Sequence, residues 1–137
     1  MTANITSKIT QHIDNLNYFF GVFTEKSEYT YINQTGLAWL GFKNLKNALG
    51  KDHSMVNCDA RELAPIWIAQ DQETLNGANE QFIGLNHYAN DEWKLVHVEK
   101  NTSFLNEKKE IICIVRDMSH YPTAFIPPII KNELIQL

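Results

Sequence analysis

Titratable and nucleophilic side chains are few in this 137-residue chain: five histidines, two cysteines and scattered carboxylates. His87 with Asp91, and His97 with Glu99, can be drawn as acid–base pairs. Neither pair is accompanied by a nucleophile elbow, paired metal ligands or a phosphate-binding loop, so no enzymatic activity and no metal are expected. Cys58 and Cys113 have no metal-ligand spacing and form no disulfide framework. A free cysteine of this kind is ordinarily a small buried hydrophobe.

What must position these residues is a single domain, because a chain of this length buries one core and not two. With 44% apolar and 20% charged residues and a net charge of −4, the composition is that of an ordinary globular protein. The twelve Lys and Arg are outnumbered by sixteen Asp and Glu, and the tight pair Lys108-Lys109 falls in a predicted turn. No basic stripe is left to follow phosphates, so no direct nucleic-acid contact is expected. No apolar run approaches the roughly 20 residues that cross a bilayer, and no signal-peptide pattern opens the chain. A reducing cytoplasm is the expected location, with no membrane partner.

Ile5, Ile9, Ile13 and Leu16 recur at helical spacing and predict an amphipathic helix over 5–17. Phe19 to Thr24 and Glu28 to Asn33 read as a hairpin of two strands. Residues 34–41 and 44–49 read as short helices, each closed by a glycine, Gly41 and Gly50. Asp59 to Gln81 reads as a longer helix with Pro65 in its first turn, marked by Leu63, Ile66, Trp67, Leu75 and Phe82. Residues 82–89, 92–100 and 110–118 read as three further strands. Three prolines and a run of aliphatic residues in 122–137 read as a linker toward an output segment.

Tyr31, Asn33, Gly36, Leu40, Gly41 and Phe42 together resemble the opening motif of PAS sensor domains. Leu49-Gly50-Lys51 resembles the family's hydrophobic-Gly-Lys turn. Asp71 falls where members often carry Asp, and Arg116-Asp117-Met118-Ser119 resembles the terminal Asp-Ile-Thr. The order and spacing of these short motifs agree with the strand–helix–strand layout across residues 19–119. Lys51-Asp52-His53-Ser54-Met55, Glu62-Leu63-Ala64 and Gln70-Asp71 look most like PAS domains at the N-terminus of LuxR-type transcription regulators. The resemblance implies an α+β fold: a five-stranded antiparallel sheet with helices over one face, preceded by the amphipathic helix. It divides the chain into a flanking helix at 1–18, a sensor domain at 19–121 and the linker at 122–137.

The same resemblance implies a cavity between the sheet and the long helix. Haem-binding relatives hold the iron through a His on that helix, and residues 60–81 contain none. Light-sensing relatives read Asn-Cys-Arg-Phe-Leu-Gln, whereas this chain reads Asn57-Cys58-Asp59-Ala60-Arg61-Glu62 and carries no Gln on its last strand. Neither haem nor flavin is therefore expected, and Cys58 is the sole cofactor-contacting candidate. What remains is a small organic ligand, or none. Tyr31, Trp39, Trp67, Tyr88, Trp93, His97 and Cys113 are the candidate wall residues. On the fourth strand Trp93, Leu95, His97 and Glu99 alternate with Lys94, Val96, Val98 and Lys100, and either set can face inward.

The expected function is a sensory, ligand-binding module of a bacterial signalling or transcription-regulatory protein. Ile5, Ile9, Ile13 and Leu16 are its candidate homodimer contacts, and a DNA-binding output domain is expected in cis. A flavin or haem sensor is one alternative. Another is the cone-shaped α+β fold of small isomerases and dehydratases, whose helices cluster before the sheet.

Overall fold

The computed structural model describes residues 2–77, 79–105 and 107–120. Strands β1 (Phe19–Thr24) and β2 (Tyr29–Ile32) form a hairpin. Helices α2 (Gln34–Leu40), α3 (Leu45–Ala48) and α4 (Ala64–Gly77) follow, and β3 (Asn79–Tyr88), β4 (Glu92–Leu105) and β5 (Lys108–Asp117) complete the sheet. Its strand order is β2-β1-β5-β4-β3, antiparallel throughout. Long β5 pairs with β1 from Phe19↔Val115 to Thr24↔Glu110 and so carries the two hairpins in one surface. This is the α+β architecture expected.

Period-2 alternation decides what faces the helices. Phe19 and Phe23 of β1, Val96 and Val98 of β4, and Ile111, Cys113 and Val115 of β5 are buried in one core with Leu37, Leu40, Val56 and Ala60. Cross-strand partners share a face, so the inner set on β4 is Val96, Val98 and Lys100. The other set, Trp93, Leu95, His97 and Glu99, lies on the outer face. β2 breaks the alternation. A bulge shifts its register, with Val22 opposite Tyr31 and Phe23 opposite Tyr29. The extra residue puts Tyr29 inside and leaves Tyr31 outside, although two residues apart would otherwise mean one face.

Asn33 ties the opening of the domain together. Its Oδ1 accepts from the amides of Phe20 and Gly36, each at 3.0 Å, so it caps α2 and pins β1 at once. Its Nδ2 donates to the carbonyls of Ile13 at 3.0 Å and Tyr18 at 2.9 Å, which anchors the end of the N-terminal helix. Gly36 then allows α2 to lie on β1, since a Cβ there would stand 2.7 Å from Ile32 Cγ2 and 2.9 Å from Phe19 Cδ2. Gly41 ends α2 at φ 81°, and the Phe42 amide closes the cap on the Leu37 carbonyl at 2.9 Å.

Several boundaries differ from expectation, among them β4, which runs on to Leu105, and β5, which takes in Lys108 and Lys109, expected in a turn. The N-terminal helix α1 spans Thr2–Asp14, and Leu16 lies beyond it in a turn closed on the Ile13 carbonyl. The expected helix over Asp59 to Gln81 is a 3-10 turn, Asp59–Leu63, followed by α4. Pro65 cannot donate the amide that would continue a helix through it, so the α-helix starts afresh at Ala64. β3 begins at Asn79, so Asn79, Glu80 and Gln81, expected at the end of the helix, stand in the sheet opposite Asn101, Lys100 and Glu99. The segment 122–137, expected as a linker, lies outside the described residues.

Candidate functional site

A cavity lies between the inner face of the sheet and α4, walled by Phe19, Phe23, Tyr29, Trp67, Tyr88 and Val98 among others. It has about 30 Å³ of free space, room for about two waters. Trp67 and Tyr88 stack with centroids 6.2 Å apart and planes at 29°, and the His53 ring meets Trp67 edge-on at 5.5 Å. Gln70, Asn86 and Lys100 supply the polar lining. A surface groove between α4 and β3, flanked by Leu63, Ile66 and Leu85, shares Trp67, Gln70, Asn86 and Val98 with the cavity. These shared side chains stand between the cavity and the groove.

One side of the cavity is a buried charge network centred on Asp71, which is fully buried in α4. Its Oδ1 receives the Lys100 ammonium at 2.6 Å, and its Oδ2 receives the Ser27 hydroxyl at 2.6 Å and His53 Nε2 at 2.7 Å. Burial pushes the Asp71 carboxyl up, but the His53 hydrogen bond and the Lys100 charge outweigh it and hold the carboxyl below its usual range. Burial depresses His53 despite its Asp71 partner, so the ring is neutral. A neutral His53 must donate from Nε2 to the carboxylate and accept at Nδ1 from the Tyr29 hydroxyl, 2.8 Å away. Burial, with Asp71 nearby, drives the Tyr29 phenol far above its ordinary range, so it remains a donor.

The backbone is shaped to close this network. The Leu49-Gly50-Lys51 turn pairs with Tyr29 on both sides, Gly50 N to Tyr29 O at 2.9 Å and Tyr29 N to Lys51 O at 2.8 Å. That turn delivers His53 into the core. Ser27 adopts φ 63°, a strained value for a non-glycine, while its hydroxyl reaches Asp71. Ser27, Asp71 and His53 are residue types of a hydrolytic triad in the wrong order. Ser27 bonds the carboxylate, and both His53 nitrogens are occupied, so no base addresses the hydroxyl.

Trp67, Tyr88 and Cys113 line the cavity among the residues named from sequence. Burial pushes the Cys113 thiol up to about 12, which keeps it protonated. Tyr31, Trp39, Trp93 and His97 do not line it. Tyr31 donates to Asp14 Oδ1 at 3.1 Å on the outer side of the bulge. Trp39 stands behind Tyr88, centroids 5.3 Å apart, with the Lys94 ammonium over its ring. Trp93 is 58% exposed on the outer face, stacked 4.2 Å from His87. His97 reaches Gln81 Oε1 at 2.9 Å on that same face. Cys58 is half-buried behind α2, its sulfur 3.8 Å from the Trp39 carbonyl, and burial raises its thiol.

Sequence reasoning missed Ser27, Tyr29, His53, Gln70, Asn86 and Lys100. Lys100 is on one of two strand sets that alternation leaves open, and His53, Gln70 and Asp71 occur only within motifs of the resemblance, with no site role. His53 and Gln70 carry no periodic signal. Among the candidate dimer contacts, Ile9 is 54% exposed, Ile13 and Leu16 are half-buried, and the Ile5 side chain lies outside the described residues. No group of three or more His, Cys, Asp or Glu suited to a metal occurs among the described residues. No described helix is long and apolar enough to cross a membrane.

No protein-family model matches the sequence, and no curated protein matches it. Solved structures do match by fold. The VqmA dimer of Vibrio cholerae, from work on LuxR-type receptors, superposes with TM-score 0.75 at 15% identity, over 83% of this chain and 52% of that one. A phage VqmA–DPO complex gives TM-score 0.74 at 20% identity, over 98% of this chain and 60% of the other. The PAS domain of an HTR-like protein from Haloarcula marismortui gives TM-score 0.62 at 19% identity, over 85% of this chain and 93% of that domain. The chain thus spans only about half to three-fifths of the VqmA chains, whereas it covers 93% of the Haloarcula PAS domain. Sheet order, helix placement and these superpositions agree that the chain has the PAS fold.

Proposed function

We propose that this domain is the sensory module of a bacterial regulatory protein and holds a small organic molecule between α4 and the sheet. The observation that carries the reading is the aromatic-walled cavity into which a few polar side chains converge, the usual form of a small-molecule site. Its likeness to VqmA bound to DPO supports the same reading. The module is not an enzyme, because its Ser–Asp–His arrangement lacks a nucleophile–base contact. Haem and flavin fit poorly. His53, the histidine lining the cavity, has both nitrogens engaged, and Cys58 stands outside the lining.

The module acts as a homodimer through the exposed side of α1, where Ile9 projects, and passes its state to a DNA-binding output domain in the same protein. An absorption spectrum from 300 to 700 nm on freshly purified protein, with mass spectrometry of what denaturation releases, tests the reading. A flat spectrum and a released small organic mass are expected. A flavin or Soret band would replace the proposal with a light or redox sensor. Trp67→Ala should weaken the released compound's rebinding about tenfold or more, as loss of an aromatic wall does. An unchanged affinity would remove Trp67 from the site.

A further inference from the structure

The sheet has two edges, and they are finished differently. β2 is covered by the Gly50-Lys51 turn, whose backbone bonds both the amide and the carbonyl of Tyr29. Along the outer edge of β3 no backbone partner stands among the described residues. Alternate members of its ten residues therefore turn an N–H and a C=O away from β4, toward solvent. The usual protections of such an edge are missing as well. β3 has no proline, no lysine and no bulge, and its register runs unbroken from Asn79↔Asn101 to Tyr88↔Glu92.

The groove between this edge and α4, about 180 Å³, is lined by Ile83, Gly84, Leu85 and Asn86. Their side chains alternate between faces, so what four consecutive residues share is the backbone of the strand's edge. Gly84 puts no side chain on the helix side, where Asn86 Oδ1 would stand 2.8 Å from a Cβ, and the backbone there is open to approach. Ile66 of α4, 55% exposed, and Leu85, 61% exposed, flank the edge from opposite faces of the sheet. One added strand covers both.

Charge along the groove selects what that strand carries. Glu73 continues the stripe of Ile66 and Gln70 down α4, and the Glu80 carboxylate lies against the helix's last turn, 2.9 Å from where a Cβ on Gly77 would stand. Neither carboxylate has a cation within ion-pair distance among the described residues. Lys100, opposite Glu80 in the register, is engaged by Asp71 at 2.6 Å, and Lys109 by the Leu75 carbonyl at 2.7 Å. A second copy of this chain would bring the same carboxylates and its own net charge of −4. Independently of any cavity ligand, we infer that the edge of β3 takes up a sixth strand from a partner protein, an extended segment with alternating apolar residues and a lysine or arginine at the Glu73–Glu80 end.

Three capped hexapeptides test this on the whole chain: Lys-Val-Thr-Val-Thr-Val, the same peptide with Glu in place of Lys, and the first peptide N-methylated at every internal amide. Binding is read by amide exchange, residue by residue. The lysine peptide should slow the outward amides of β3 about tenfold, as new strand hydrogen bonds do. It should bind about 3- to 10-fold more tightly than the glutamate peptide, and N-methylation should cost it at least about tenfold. Leu85→Lys, a charge on an exposed edge position, should abolish binding, with a thermal melt confirming that the variant folds. Glu73→Gln with Glu80→Gln should erase the preference for lysine.

A lysine peptide that leaves β3 exchange unchanged at about 1 mM, the weak end of specific contacts, overturns the inference. So does an N-methylated peptide that binds equally well, since strand addition needs the donors. Equal binding of the glutamate peptide removes the charge requirement and with it the proposed partner. Outward β3 amides already protected in the free chain overturn it too: protection lost on dilution gives the edge to a second copy, and protection independent of dilution gives it to another part of this chain.

Discussion

Asp71 is the residue on which the interior depends, because three donors converge on its two oxygens. Asp71→Asn keeps the shape but leaves the Lys100 ammonium buried without a counter-charge. A loss of about 3–5 kcal/mol is expected, measured by urea unfolding. A loss within about 0.5 kcal/mol would mean that Lys100 reaches solvent instead. Asn33→Ala removes four hydrogen bonds made by one buried side chain. About 2–4 kcal/mol should be lost, since each bond is worth about 0.5–1.5 kcal/mol and some buried partners stay unpaired. The pH dependence follows from His53, whose folded pKa lies below the ordinary 6.5. The unfolded chain binds the proton first, so the stability due to neutral His53 is present above about 6.5 and falls as pH drops below it. His97 is depressed by burial as well and adds in the same direction. Asp71, held below its ordinary value, adds a further loss once pH falls below about 4. His53→Gln should flatten the melting temperature between pH 7 and 5. An unaltered slope would assign the dependence to other groups.

At the scale of elements, the β1–β2 hairpin and α2 were legible in the sequence because aromatic and β-branched residues, an Asn cap and a terminating glycine all act locally. The cavity was legible only in part, since Trp67, Tyr88 and Cys113 sit on regular elements whose faces can be counted. Tyr31 was assigned to the cavity because nothing in Tyr29-Thr30-Tyr31 announces a bulge, which depends on pairing with β1. The inward set on β4 depended on its register with β5, a long-range fact that alternation cannot supply. His53 lies in a short 3-10 turn whose course is fixed by backbone bonds to β2 far back in the chain. For α1 the sequence gives an apolar stripe, and the structure shows that its exposed part is Ile9 and its packed part nearer Ile13. Ile9→Glu alone should therefore turn the proposed dimer into monomers in light scattering with little change in the melt. A dimer mass that persists would remove α1 from the interface.

Across the whole molecule, the cavity and α1 are joined by the bulged strand β2. Tyr29 faces the cavity and holds His53, while Tyr31, on the far side of the bulge, holds Asp14 of α1 at 3.1 Å. The next residue but one, Asn33, fixes the Ile13 carbonyl. A ligand that shifts Tyr29 therefore acts on a strand whose other face carries the end of the proposed dimerisation helix, a coupling through one short rigid element. Tyr31→Phe cuts this link without touching the cavity wall. Affinity for the compound that denaturation releases should change by less than about twofold, because no lining group is lost. Amide exchange in residues 10–14 should quicken by about 2- to 10-fold, the effect of losing one hydrogen bond at the helix end. In the native chain that compound should slow the same exchange, and in Tyr31→Phe it should not. If the compound protects residues 10–14 equally in both, the signal leaves the cavity by another route, and the Asn33 clamp becomes the element to cut.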